Sequence, residues 1–145
     1  MMKQLVFFLF MIISGQIILT GQNTSVVQAP AVIENNFYRA YPHVSDVHWK
    51  QMNEHTFRAD FVYDNRRYNA LYSTEGGWIE TATPVVIRET PEPVRQKYHK
   101  SHTEWILLDI ELVESPGTER LYRFKIQEGD KIFNLIYDSQ GNLVR

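Results

Sequence analysis

Hydrophobic and polar residues alternate along most of the chain, a pattern typical of antiparallel β-strands that are buried on one face only. The pattern predicts eight strands, near residues 44–52, 56–63, 67–73, 78–83, 105–113, 120–127, 131–138 and 142–144. Clusters of Gly, Asp, Asn and Ser between these segments supply the turns.

Two segments have helical spacing instead. Residues 30–41 place Ile33, Phe37 and Tyr41 four residues apart, on one face of a helix. A second helix is predicted to begin at Thr90, an N-cap residue that is followed by proline and glutamate. The chain therefore alternates a helix with a run of strands, and it does so twice.

The second half of the chain repeats the first at an offset of 65 residues. The stretch YSTEGGWIE at 72–80 aligns with YDSQGNLVR at 137–145, and both suit a type I turn followed by a left-handed glycine. Identical aligned pairs include Arg58/Arg123, Asn69/Asn134, Tyr72/Tyr137 and Gly76/Gly141. We predict an α+β fold: a tandem repeat of helix plus four-stranded antiparallel meander, with the helices packed on one face of the sheet.

The N-terminus is predicted to be a signal peptide. Lys3 precedes an apolar run, and small polar residues follow near Gly21, where we place the cleavage. The alternative is a retained membrane anchor, which the polar interruption at 14–16 disfavours because a span needs about 18 apolar residues. The predicted divisions are a signal peptide (1–21), a polar leader (22–29) and one domain (30–145) made of two repeats, 30–86 and 87–145.

Composition narrows the function classes. The 145 residues carry a formal net charge of −2 and no run of Lys or Arg, which argues against a nucleic-acid surface. The absence of cysteine excludes disulfides, thiolate metal sites and a cysteine nucleophile. We expect a monomer that makes no membrane contact once the signal peptide is removed.

The turn register sorts the strand residues onto two faces. It places Trp78, Ile106, Leu108 and Leu143 on the core face, under the helices. The opposite face is mixed, and it is either an ordinary solvated surface or a surface for a protein partner. The expected cross-strand rows on that face are Asp60–Leu71–Ile79 and Lys125–Ile136–Val144. The predicted partner-binding residues are Arg58, Asp60, Leu71, Ile79, Arg123, Lys125, Ile136 and Val144.

Candidate catalytic chemistry is sparse. His99, His102 and Glu104 lie close together in sequence and form the one hypothesis for a metal-dependent hydrolase. No serine lies in a Gly-x-Ser-x-Gly turn, and no glycine-rich phosphate loop occurs. We therefore predict no catalytic residues, no metal site and no cofactor.

Three stretches resemble a known family. FYRAYPHVSDVHWK (37–50), TFRADF (56–61) and YSTEGGWIETATPV (72–85) are similar to the secreted PepSY-like proteins of Bacteroidetes, also described as β-lactamase-inhibitor-like. The second half departs from this pattern, with His99 in place of Pro42 and Leu143 in place of Trp78. The resemblance implies a helix-plus-sheet fold in tandem and an extracytoplasmic location. In inhibitor relatives of similar shape, the exposed face of the sheet binds the target enzyme.

Three functions remain as hypotheses. The first is a secreted or periplasmic, non-catalytic binding module of inhibitor-like fold whose partner protein is unknown. The second is the metal-dependent hydrolase, and the third is a structural or envelope-stress protein without a discrete ligand.

The signal-peptide hypothesis predicts that exported protein begins near Gln22. N-terminal sequencing of protein from the periplasm or the medium checks this. A sequence that still begins at Met1, from a membrane fraction, would contradict it.

Overall fold

The computed structural model describes residues 27–101 and 104–144, and these form one seven-stranded antiparallel sheet with its strands in chain order. The elements are α1 (Ala31–Ala40), β1 (Val47–Asn53), β2 (Thr56–Tyr63), β3 (Arg66–Ser73), β4 (Trp78–Pro84), a 3₁₀ turn (Ile87–Glu89), α2 (Glu92–Ser101), β5 (Ile106–Glu114), β6 (Leu121–Glu128) and β7 (Lys131–Tyr137). Neither helix in the described ranges is long and apolar enough to span a membrane. The predicted signal peptide and most of the polar leader lie outside the described residues.

The prediction of a tandem helix-plus-four-strand repeat is wrong. β4 pairs with β5, from Thr81↔Glu114 to Pro84↔Glu111, so the strands form a single sheet rather than two meanders. The predicted eighth strand is reduced to an isolated bridge, Tyr137↔Leu143. Pairing β4 with β5 has a clear physical advantage, because two separate meanders would each leave an additional unpaired strand edge.

Helix α1 covers the first hydrophobic cluster. Its residues Ile33 and Phe37 are fully buried. The Phe37 ring lies edge-on to Trp49, with ring centres 5.4 Å apart, and to Phe61, at 4.8 Å. Such edge-to-face contacts add to the free energy gained from burial. The helix is thus fixed over strands β1 to β3.

Helix α2 covers the second hydrophobic cluster in the same way. Tyr98 packs on Phe124 with ring centres 4.9 Å apart, and Phe124 packs edge-on against Tyr137 at 5.3 Å. The register pairs Ala70 with Thr81 and Thr83 with Leu112, which connects the residues under α1 with those under α2. Both helices therefore lie on the same face, and the described residues place no helix on the opposite face, which we call the open face.

Two β-bulges change the predicted faces. The register shifts by one residue between Leu71 and Tyr72 of β3 and again between Leu107 and Asp109 of β5. An extra residue at a bulge reverses the alternation of side chains beyond it. As a result Leu107, not Leu108, packs into the second cluster. Ile106 (59% exposed) and Leu108 (43%) were predicted for the core and lie outside it for this reason. Trp78 (39%) and Leu143 (53%) keep the predicted positions opposite Tyr72 and Tyr137, but they are exposed rather than buried.

The predicted left-handed glycines are confirmed, and both contact a helix. Gly76 has φ +91° and Gly141 has φ +81°. A Cβ at Gly141 would lie 2.7 Å from the carbonyl oxygen of Pro93, at the start of α2. This turn therefore needs glycine for its backbone conformation and also for close contact with the helix.

We predict that Gly141→Ala destabilises the protein more than Gly117→Ala. Gly117 also has a positive φ (+67°), but a Cβ there would have no atom within 4 Å. Both variants carry backbone strain of about 1 kcal/mol. Gly141→Ala should lose about 1–3 kcal/mol more, because α2 must shift to accommodate the methyl group. Urea unfolding measures the difference, and equal losses would contradict the close packing of this turn on α2.

Candidate binding face

The tight turn of the β2–β3 hairpin sets the rows in the first half of the open face. β2 and β3 are joined by Asp64 and Asn65, both with positive φ (47° and 60°), so that Tyr63 pairs with Arg66. A two-residue turn of this kind fits the twist of the flanking strands. The register that follows places Leu71 opposite Arg58.

The first expected cross-strand row is therefore wrong, and the second holds only for Ile136 and Val144, where the Val144 amide donates to the Ile136 carbonyl at 2.7 Å. Asp60 pairs with Asn69 rather than with Leu71, and Leu71 pairs with Glu80 rather than with Ile79. In the second half, Lys125 pairs with Asn134, and Ile136 pairs with Arg123. The observed rows across the open face are Lys50–Arg58–Leu71–Glu80 and His48–Asp60–Asn69–Ala82–Val113–Leu121.

An ion pair between one arginine and two glutamates lies at the centre of the open face. Arg123 Nη2 donates to both carboxylate oxygens of Glu80, at 2.7 and 2.9 Å, and Nη1 donates to Glu111 Oε2 at 3.0 Å. The three side chains are only 20–23% exposed. Burial alone would lower the pKa of Arg123, but the hydrogen bonds and charges of Glu80 and Glu111 raise it overall. The guanidinium group stays charged, and its planar fork connects β4, β5 and β6.

This ion pair lies next to a small apolar patch. Ala82 (0% exposed) and Val113 (4%) are buried although they lie on the open face. Glu80 and Glu111 stand two residues from Ala82 and Val113 on the same strands, and Arg123 joins them. We infer that the charged side chains shield the patch from water, since no helix covers this face in the described residues.

A second ionic group lies near the β1 edge. Lys50 Nζ is 2.7 Å from Asp60 Oδ2, and Arg58 Nη2 is 3.0 Å from the same oxygen. Arg58 Nε lies 2.8 Å from Oδ1 without hydrogen-bond geometry, so that contact is ionic only. Burial raises the pKa of Asp60, but the hydrogen bonds and charges of Lys50 and Arg58 lower it by more. The net shift of the pKa is therefore downward. Asp60 thus remains a carboxylate that orients two cations.

The structure separates the predicted partner-binding residues into groups. Arg58 and Asp60 belong to the edge group, and half-buried Leu71 lies between Arg58 and Glu80. Ile79 lies in the β4 bulge and is 38% exposed. A depression of about 210 Å³ brings together Arg123, Ile136 and Val144, with Glu80, Val113, Ser115 and Leu121. Exposed Lys125 lines a neighbouring depression with Asp109, Glu111, Arg123 and Asn134.

Sequence reasoning missed several residues that shape this face. Glu80 is absent from the expected open face because the bulge at Ile79 shifts it there, and no sequence pattern indicates that Glu111 pairs with Arg123. Val62 (57% exposed) and Ile132 (56%) are more exposed than half-buried Leu71 and Ile136. Alternation along the strands places both residues on the open face, but it does not indicate how exposed each one is.

The predicted metal-ligand set is only partly described. His99 and Glu104 are exposed, and His102 lies outside the described residues. In ranges 27–101 and 104–144, no group of three His, Cys, Asp or Glu residues could hold a metal ion.

Comparisons with known proteins find structures of the same fold. Neither family models nor curated protein sequences match the chain. Among solved structures, a DUF2874 family protein from Bacteroides ovatus ATCC 8483 has a TM-score of 0.73 at 21% identity, over 82% of this chain and 86% of that chain. A BLIP-like protein from Bacteroides fragilis NCTC 9343 has a TM-score of 0.71 at 21% identity, over 84% and 87%.

A third similar structure comes from Bacteroides eggerthii DSM 20697 and is of a protein proposed to be periplasmic. Its TM-score is 0.73 at 16% identity, over 82% of this chain and 88% of that chain. At such identities the likeness shows the fold alone. The BLIP-like neighbour agrees, at the level of the fold, with the resemblance found in the sequence, and the PepSY-like part is not shown.

We predict that Arg123→Met destabilises the protein much more than Arg120→Met. Removing Arg123 leaves two half-buried carboxylates without their cation, at a cost of about 2 kcal/mol after allowance for partial exposure. Arg120 pairs with Glu114, but its side chain is 67% exposed, so its loss should cost less than about 0.5 kcal/mol. Urea unfolding at neutral pH compares them, and similar losses would show that the Arg123 ion pair does not stabilise the sheet.

Proposed function

We propose that this chain is a non-catalytic protein-binding module that acts outside the cytoplasm and presents the open face of its sheet to a partner protein. The observation that carries the proposal is a set of exposed aliphatic side chains on that uncovered face. Val62, Ile132 and Val144 are each 56–57% exposed, on the same face as the half-buried ion pairs, and Val144 lines a depression with Arg123 and Glu80. Apolar area bordered by charges in this way is typical of interaction surfaces.

The ion pairs order the charged side chains of the open face before any partner binds. Both terminal nitrogens of Arg123 contact carboxylates, and Arg58 contacts Asp60. These two side chains are therefore already ordered and have little conformational entropy to lose on binding. A surface that is already ordered loses less conformational entropy on association. Ile136 and Val144 line the depression beside Arg123, where an apolar side chain of the partner would fit. Exposed Lys125 would affect the association rate more than the affinity.

The fold comparison supports the same proposal at a coarser level. A solved structure of this fold is described as BLIP-like, and another is of a protein proposed to be periplasmic. Inhibition of an enzyme by this chain is an analogy between folds. The signal peptide (1–21), the polar leader (22–29) and a single monomeric domain (30–145) are part of the proposal. We favour it over the metal-dependent hydrolase and the structural protein because the exposed apolar surface needs a partner to cover it.

The test uses mature protein beginning at residue 22 and cross-linking in envelope extract, followed by affinity measurement with each purified partner. Val144→Asp and Ile132→Asp should weaken binding by about tenfold or more, because each puts a carboxylate into the interface. Both side chains are more than half exposed, so the melting temperature should hardly change. Leu71 and Ile136 are less suitable, since they are half-buried and their replacement would also destabilise the sheet.

The matched control is Val86→Asp, which alters an exposed valine (48%) outside the sheet. It should bind like the wild type. Partners whose affinity is unchanged by Val144→Asp and Ile132→Asp, but reduced by Val86→Asp, would place the interface elsewhere and contradict the proposal.

A further inference from the structure

A cleft of about 470 Å³ lies on the helix side of the sheet, away from the open face. It separates the last turn of α1 from the β3–β4 hairpin, and its lining residues are Asn36, Arg39, Ala40, Tyr41, Tyr72, Gly76 and Trp78. Asn36 donates to the carbonyl of Gly76 at 2.9 Å, which fixes the hairpin to the helix. The size suits a small molecule rather than a protein.

One wall of the cleft is a positioned aromatic platform. Trp78 is 39% exposed, although tryptophan is usually well buried. Its indole Nε1 donates to Thr81 Oγ1 at 2.9 Å, and the Tyr41 hydroxyl lies 3.4 Å from the same oxygen. Since the indole N–H is already used, its π surface is what remains for a ligand.

A tyrosine hydroxyl is available for hydrogen bonding beside this platform. Tyr72 is only 2% exposed and lines the cleft, yet its hydroxyl makes no hydrogen bond with any described residue. Burial, and to a lesser extent Tyr41, raises the pKa of Tyr72 to about 12, so the group remains a neutral O–H at physiological pH. The hydroxyl oxygen is not among the fully buried atoms that lack a partner, so it is accessible from the cleft and a ligand there could accept its hydrogen bond.

The last turn of α1 supplies hydrogen-bond acceptors at the cleft. The Tyr41 amide bonds to the Phe37 carbonyl and the Val44 amide to the Tyr41 carbonyl. The carbonyls of Arg39 and Ala40, at the last turn, receive no backbone amide from the described residues. Arg39 is exposed and makes no ion pair within the described ranges, so it can donate hydrogen bonds at the rim.

We propose that this cleft binds the neutral pyranose ring of a saccharide. A pyranose has an apolar C–H face that stacks on an indole, and its hydroxyls both donate and accept hydrogen bonds. The helix carbonyls would accept from sugar hydroxyls, while the Tyr72 hydroxyl and Arg39 would donate to them. The negative end of the helix dipole at Ala40 disfavours an anionic ligand and so favours a neutral one.

The test is calorimetric titration of the mature protein with cellobiose and with lactose, and sorbitol serves as the probe that has hydroxyls but no ring. At least one disaccharide should bind saturably and sorbitol should not. Trp78→Ala should weaken binding by about tenfold or more, by comparison with aromatic stacking on other ring systems. Tyr72→Phe removes only the hydroxyl and should weaken binding several-fold while the fold is retained, so it remains informative if Trp78→Ala destabilises the protein.

Two controls separate this site from other surfaces. Trp105→Phe changes a tryptophan outside the cleft, and Val144→Asp changes the open face; both should leave sugar affinity unchanged. Failure of both disaccharides to bind, equal binding of sorbitol, or binding that Tyr72→Phe and Trp78→Ala leave unchanged would overturn the proposal.

Discussion

The pairing of β4 with β5 is the constraint on which the rest of the structure depends. Only four residue pairs join these strands, yet they connect the hydrophobic cluster under α1 with the cluster under α2. Arg123 on β6 strengthens the junction from the open face, because it binds Glu80 on β4 and Glu111 on β5. Without this pairing, both β4 and β5 would be unpaired edges, which are prone to association with other chains.

The single sheet also divides the molecule into two surfaces with different chemistry. On the helix side, Phe37 and Tyr98 anchor the two helices, and the space left between α1 and the β3–β4 hairpin becomes a cleft. On the open face, charged side chains are held by one another and leave aliphatic residues exposed between them. We propose a protein partner for the open face and a saccharide for the cleft, so the two sites would act independently.

Much of this fold could be predicted from the sequence because its local signals are strong. Both helices, seven of the strands and the left-handed Gly76 and Gly141 follow from periodicity and turn residues. The errors arise at β-bulges, where one extra residue changes the alternation of side chains between the two faces. The bulge at Ile79 puts Glu80 on the open face, whereas Trp78 stays opposite Tyr72 on the helix side but is left 39% exposed beside the end of α1. Alternation alone does not reveal such a bulge, so neither the central ion pair nor the cleft beside Trp78 could be predicted.

The most direct test of the account measures whether the two clusters unfold together. Two single-tryptophan proteins are needed, one that retains only Trp49, in the first cluster, and one that retains only Trp105, which packs against the second. The other tryptophans are replaced by phenylalanine, and urea unfolding is followed by fluorescence and by circular dichroism. A single sheet joined at β4–β5 predicts that, within each protein, both signals give the same midpoint and slope. A fluorescence transition that separates from the circular dichroism transition in either protein would show that the halves unfold independently, and would contradict the central role of the β4–β5 junction.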